Sequence, residues 1–372
     1  MLLFWRCLLS LRFPENVARA SVSLTNQAAI YVEGAGGGDI AVNARNLEIL
    51  GGSILSGGIG QGLGTLETIG GDITLNATRE IKVAGGSIVQ NLVRLGSLGN
   101  AGNIIIDSGS FSLRDGAQFI ASTLGQGNAG NVTVRAQDAV SLADNASILS
   151  TVEAGGVGKG GNIDINAATL SLIDGAQLVT ATREAFDTQP AGEGNAGNIN
   201  VNVTGAVDIA GKKNDGFVSG ISSSVETGTV GNGGNITIDS GSFSLRDRAQ
   251  IQASTSGQGN AGNVTVQARD AVALADNGSI LSTVESGGVG KGGNININAA
   301  TLSLIDGAQL VTATREASAT QPAGQGDAGN VNVNVTGIVD IAGKKNGGFA
   351  SAIFSRVETG TVGNGTKKRE NR

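Results

Sequence analysis

Histidine is absent from this 372-residue chain, and cysteine occurs once, at Cys7. The first absence removes the side chain most often used as a general base near neutral pH and most often bound to a metal ion. The second excludes an internal disulfide framework and thiolate-held zinc or iron–sulfur centres. No cofactor is therefore expected. A body free of cysteine suits the cytosol, and equally a bacterial exported protein that crosses a membrane unfolded. Aromatic residues make up only 3%, so the core has to be built from many small, similar contacts among Val, Ile, Leu and Ala. No stretch approaches the roughly 18 apolar residues of a membrane span. Charged residues are few and slightly acidic in balance, net −6, with no basic face, so nucleic acid is not expected as a partner. The apolar share, 40%, is nevertheless ample for a folded core.

What the chain has in abundance is glycine, 61 residues, and it is placed periodically. A step of Gly-Asp or Gly-Asn followed by apolar-x-apolar appears first at Gly38-Asp39-Ile40 and Gly71-Asp72-Ile73. It then recurs at Asn103, Asn131, Asn162, Asn198, Asn235, Asn263, Asn294 and Asn330, each preceded by glycine. From Asn103 onward the spacings run 28, 31, 36 and 37, then 28, 31 and 36 again. Residues 103–234 superpose on 235–366 without a gap and agree at 109 of 132 positions, so a block of four units has been duplicated.

Each unit has a fixed part of about 21 residues that reads as three short strands bounded by Gly, Asn and Asp. A turn aspartate follows the motif at Asp115, Asp144, Asp174, Asp247, Asp276 and Asp306. The remaining 7 to 16 or so residues, such as 153–159 and 183–193, read as loops, and length variation is expected to fall at this one place in each unit. One unit buries too little apolar area to fold alone, so neighbours must stack on it as in any solenoid. Stacking of about ten units at ~4.8 Å gives an all-β parallel β-helix roughly 45–50 Å long, with three short strands per rung. The eight motif asparagines should form one column at a corner, hydrogen-bonding up and down the stack. The duplicated block indicates the facing. Ile104 and Ile106 stay isoleucine at 236 and 238, whereas Ile105 becomes Thr237 between them, as alternation of core and solvent faces requires.

The expected organisation is an atypical segment 1–20, a repeat domain 21–366 and a charged tail 367–372. Segment 1–20 is apolar but broken by Arg6 and Arg12, and ends near Ala18-Arg19-Ala20; it reads as a weak export signal or a misassigned start.

Gly-Asn-Ala-Gly-Asn-Val-Thr-Val (127–134), the run 106–118 and Gly-Gly-Asn-Ile-Asp-Ile-Asn-Ala (160–167) resemble large bacterial exoproteins. These are the filamentous haemagglutinin-like proteins of two-partner secretion, especially the cyanobacterial type, and the resemblance covers about 21–366. It implies a right-handed β-helix, an outer-membrane barrel transporter as partner, and an extracellular or surface-attached adhesive filament. The Asn-Pro motifs usual in the family's secretion domain are absent from this sequence. The repeat also gives way after Gly363-Asn364-Gly365 to a lysine-rich tail, so the chain reads as a fragment of a longer stalk.

The function expected is a non-catalytic, adhesin-like stalk whose loops contact glycans or other cell surfaces. The alternatives are a β-helical polysaccharide lyase or hydrolase, which needs paired carboxylates or calcium with a base, and a fragment with no function of its own. Candidate carboxylates exist at Asp174, Asp306, Glu153, Glu285, Glu184 and Glu316, but each has a counterpart one block away, and a catalytic rung should break the repeat. The run Gly155 to Gly161 lacks the Lys-Ser/Thr step of a phosphate loop. Lys212, Lys213 and Phe217 recur as Lys344, Lys345 and Phe349 in the longest inserts. They read as loop contacts for an anionic glycan or, more conservatively, as solvated lysines with the phenylalanine tucked onto the rod.

Overall fold

The apolar-x-apolar run after each Gly-Asn step sets a short strand with one face inward, and two further strands follow across tight turns. In the computed structural model, which describes residues 19–211, 217–344 and 349–364, these strands coil into a right-handed parallel β-helix. No α-helix occurs among the described residues. Most of segment 1–20 and the whole of the tail 367–372 lie outside the described residues.

Three long parallel sheets run the length of the stack. The first has ten strands, from Ile40–Ala44 to Val331–Val335. The second has eleven, from Val22–Leu24 to Val339–Ala342, and the third eleven, from Ala29–Tyr31 to Ala352–Val357. In each sheet the hydrogen-bonded neighbour is the equivalent strand one turn on. Thus Ile104, Val132, Ile163, Ile199 and Ile236 are successive partners. A two-stranded patch, Gly64–Ile69 with Leu98–Asn100, adds a short fourth face near the start.

The main core is a column of largely aliphatic side chains between the sheets, with a small separate cluster of Ile59, Val93 and Ala101 near the start. Ile104 and Ile106 are fully buried and Ile105 is half-exposed; Ile236 and Ile238 are buried while Thr237 faces solvent. Phe111 and Phe119 meet edge to face within it, with ring centres 5.4 Å apart. Burial of each such side chain is worth about 1.5–3 kcal/mol, and much of the covering surface comes from the rungs above and below.

The second and third sheets are joined by a two-residue turn in which both residues have positive φ, as at Asp115 (56°) and Gly116 (72°). The remaining turn aspartates share this conformation, with φ between 50° and 57°. Asp, Asn and Gly tolerate it, which is why they occupy the turn. Arg248 does so at φ 68°, where the other copy has Gly116.

Length variation falls at two corners rather than the single one expected. The insert 183–193 follows the third-sheet strand Gln177–Thr182, whereas 211–219 separates the second-sheet strand Ala206–Ala210 from the third-sheet strand Gly220–Val225. The second insert replaces the Asp-centred turn, so counting residues between motifs could not separate the two positions.

At the corner leading into the first sheet, successive rungs approach so closely that no side chain fits. A Cβ on Gly130 would lie 1.9 Å from the Gly102 carbonyl oxygen, and on Gly161 2.1 Å from that of Gly130. Buried hydroxyls on the third sheet satisfy these corner carbonyls. Ser150 donates to the Gly130 oxygen at 2.8 Å and Thr180 to the Gly197 oxygen at 2.6 Å.

Candidate functional site

The motif asparagines stand in one column beside the glycine corner. The main-chain N–H of each donates to the side-chain oxygen of its predecessor: Asn131 to Asn103 at 3.1 Å, Asn162 to Asn131 at 2.8 Å, Asn198 to Asn162 at 2.9 Å and Asn235 to Asn198 at 2.8 Å. Asn263, Asn294 and Asn330 continue it at 2.9, 2.8 and 2.9 Å. Asp39 and Asp72 begin the ladder, with Asn103 donating to Asp72 at 2.7 Å. A carboxamide suits the column because its oxygen accepts from the next rung while its Nδ2 donates, as from Asn263 to Asn235 at 3.0 Å.

A second ladder, which the sequence reading did not single out, runs three residues ahead of the first. Asn128 donates from its N–H to the side chain of Asn100, Lys159 to Asn128, Asn260 to Asn232 and Lys291 to Asn260, each at 2.9 Å. Its signal was the first asparagine of Gly-Asn-Ala-Gly-Asn, obscured where lysine takes the position and only the backbone donates.

The carboxylates weighed as acids or bases occupy turns and corners between the sheets. Asp174 and Asp306 sit in the left-handed turns. Glu153 accepts a hydrogen bond from Thr151 at 2.5 Å, and Glu285 from Thr283. Neighbouring rungs place arginine between acids. Arg183 pairs with Glu226 at 2.6 Å, and Arg315 lies 3.1 Å from Glu358 and 3.8 Å from Glu285. Glu184 and Glu316 contribute their backbone N–H groups to Glu226 and Glu358 at 3.1 Å. Burial acts to raise the Glu358 carboxyl, but that N–H and the arginines outweigh it and hold it below the ordinary carboxylate range. Glu33 is likewise lowered: burial opposes ionisation, while hydrogen bonds from Arg94, at 2.6 Å, and Ser56 favour it. Among the described residues no group of three or more His, Cys, Asp or Glu side chains is arranged to hold a metal ion.

Of the loop residues singled out, Lys212, Lys213 and Lys345 lie outside the described residues. Lys344 is exposed and forms a small antiparallel bridge with Ala350. Phe217 and Phe349 are 57% and 73% exposed, so these rings are not tucked onto the rod as expected.

Phe217 borders a recess of about 480 Å³ on the outer face of the third sheet. Its floor carries Ser222, Ser224, Gln250 and Gln252, and its far side the Arg183–Glu226 pair. A second, shallower hollow of about 630 Å³ follows the corner between the first and second sheets, along Asn76, Asp107, Arg135, Asn166 and Asn202.

Uniform rungs carrying polar ladders, with elaboration confined to loops, define a parallel β-helical solenoid. Its sequence is similar to that of outer membrane protein A of Rickettsia rickettsii, 27% identical over 314 residues. That alignment covers 78% of this chain and 13% of the rickettsial protein, so the chain spans a small part of its relative's length. No family model matches the chain, and no solved structure matches it.

Proposed function

We propose that the chain is a segment of a cell-surface stalk: a non-catalytic, adhesin-like β-helical rod that holds its loops away from the outer membrane for contact with glycans or neighbouring cells. The observation that carries this reading is the unbroken parallel register of all three sheets through every rung, including those bearing inserts. A surface built this way repeats itself, and its variation lies in the loops, where partners are met. The likeness to a protein named as an outer membrane protein supports the same location. The filamentous haemagglutinin-like motifs extend the proposal to export by two-partner secretion through an outer-membrane barrel.

The test is protease shaving of intact cells of the source organism, with an antibody against the repeat domain. The epitope should disappear on shaving while a cytosolic marker survives, and the purified protein should release no new reducing ends from polysaccharides. An epitope recovered only from the cytosol after lysis, or steady polysaccharide cleavage, would overturn the proposal.

A further inference from the structure

The recess on the third sheet lies where the two copies of the duplicated block meet. Its floor is formed by the last rung of the first copy (Gly220–Val225) and the first rung of the second (Gln250–Gln252). The rung beginning at Asn235 is one of the shortest, with 28 residues to the next motif, and it follows the longest, with 37. A short rung against an insert-bearing one leaves a step, and Phe217 stands at its edge.

The copies are nearly identical, so the positions where they differ at this place are informative. Ser222 and Ser224 of the recess correspond to Phe354 and Arg356, and Gln252 and Ser256 to Ile120 and Leu124. At all four positions the side chain facing the recess is uncharged and polar, where its counterpart is apolar or charged. In the second copy Arg356 lies over the Phe354 ring, 5.2 Å from its centre, on the same part of the rung. The recess thus has hydroxyls and carboxamides on its floor, an exposed aromatic ring at one side and a self-neutralising Arg183–Glu226 pair at the other. Its size falls within the range of small-ligand sites.

From this we infer that the junction between the copies is a binding site for an uncharged glycan. The ring of Phe217 packs against the C–H face of a sugar, as the electron-rich face of an aromatic favours. Gln250, Gln252, Ser222 and Ser224 exchange hydrogen bonds with its hydroxyls, since carboxamides and hydroxyls both donate and accept. A polyanion is disfavoured because, among the described residues, the one cation lining the recess, Arg183, is already paired with Glu226. A linear oligosaccharide fits better than a branched one, because the outward side chains of a parallel sheet form straight rows along the rod. This inference rests on the surface-stalk reading and deepens it by naming the ligand class.

The experiment is isothermal titration of the full chain with three neutral linear hexaoses, of β-1,4-, β-1,3- and α-1,4-linked glucose, and with polygalacturonate as the anionic comparison. At least one hexaose should bind saturably. Affinity should fall at least tenfold in the double variant Ser222→Phe/Ser224→Arg, which installs the pair already present on the equivalent rung of the second copy and so preserves the fold. Phe217→Ala should weaken the same hexaose severalfold. Arg135→Gln, the corresponding exchange on the first sheet, should leave it unchanged. Binding of no hexaose, binding of polygalacturonate alone, or equal affinity in the double variant would overturn the inference. Protease shaving is independent of these titrations, so a chain displayed on cells that ignores all three hexaoses would sink this inference and leave the stalk reading standing.

Discussion

Replacing Gly130 with alanine separates two reasons for glycine in this chain. The φ of Gly130 is not positive, so its backbone makes no demand for glycine. On conformational grounds alone alanine should stabilise by about 0.4–1 kcal/mol, through a less flexible unfolded state. The close approach of the rungs predicts the reverse. The new Cβ would sit 1.9 Å from the Gly102 oxygen, against an ordinary van der Waals separation of 3.4–4 Å. Relief requires the two rungs, normally ~4.8 Å apart, to part locally by more than about 1 Å. Three hydrogen bonds cross that gap: Ala101 N–H to the Asn128 oxygen at 2.9 Å, Ile104 N–H to the Asn131 oxygen at 2.9 Å, and Asn131 N–H to the Asn103 side chain at 3.1 Å. At about 1 kcal/mol each, their loss costs about 3 kcal/mol. Gly116→Ala is the comparison. A Cβ there meets nothing within 4 Å, and only the φ of 72° opposes it, at about 1–2 kcal/mol. Urea unfolding followed by far-ultraviolet circular dichroism should rank Gly130→Ala well below Gly116→Ala. Hydrogen exchange should show lost protection at Ala101, Ile104 and Asn131. A Gly130→Ala protein as stable as the parent, or more so, refutes the steric argument.

Four further outcomes are expected. Asn162→Leu removes the acceptor for the Asn198 N–H, now at 2.9 Å, and should lower stability by about 1–2 kcal/mol, with Asn162→Asp much milder in the same urea titration. Arg248→Gly relieves a non-glycine residue held at φ 68° and should raise stability by about 1 kcal/mol; a loss would show that the arginine side chain outweighs the strain. Ile163→Asp places a carboxylate at a fully buried core position and should abolish the β-sheet signal, at a cost of several kcal/mol, whereas Glu153→Ala should leave that signal nearly intact. For Glu33, whose carboxyl is held below its ordinary value of 4.5, the ion pair with Arg94 stabilises the fold fully above that value and progressively less as pH falls through the lower folded one. Glu33→Gln should therefore cost up to about 1 kcal/mol at pH 7 and nothing at strongly acid pH, and a difference constant with pH would contradict the assignment.

The rung architecture was legible because it is written locally. Alternation around Ile104, Ile105 and Ile106 fixes which face turns inward, and the Gly-Asn step marks the corner. The arginine–glutamate column was not, because its partners, such as Arg183 and Glu226, come from successive rungs and meet only once insert lengths are resolved into corners. The recess was hidden for a related reason. No residue in it is unusual, and it arises from a short rung following a long one. The exposure of Phe217 was not legible because sequence spacing alone does not show on which side of the third-sheet strand its insert lies.

The duplicated block comprises a whole number of rungs, and this makes reach a discrete quantity. The surface that one block offers to the next is nearly the same each time, so adding or deleting a block creates no new kind of interface and leaves the register of every other rung unchanged. Each such event moves whatever is carried farther along by four rungs, about 19 Å. The junction recess would be copied with it. A rod of this design can thus be lengthened by recombination between its own copies, gaining height and an additional docking position in a single step, while any insertion that is not a whole number of rungs is confined to the loops.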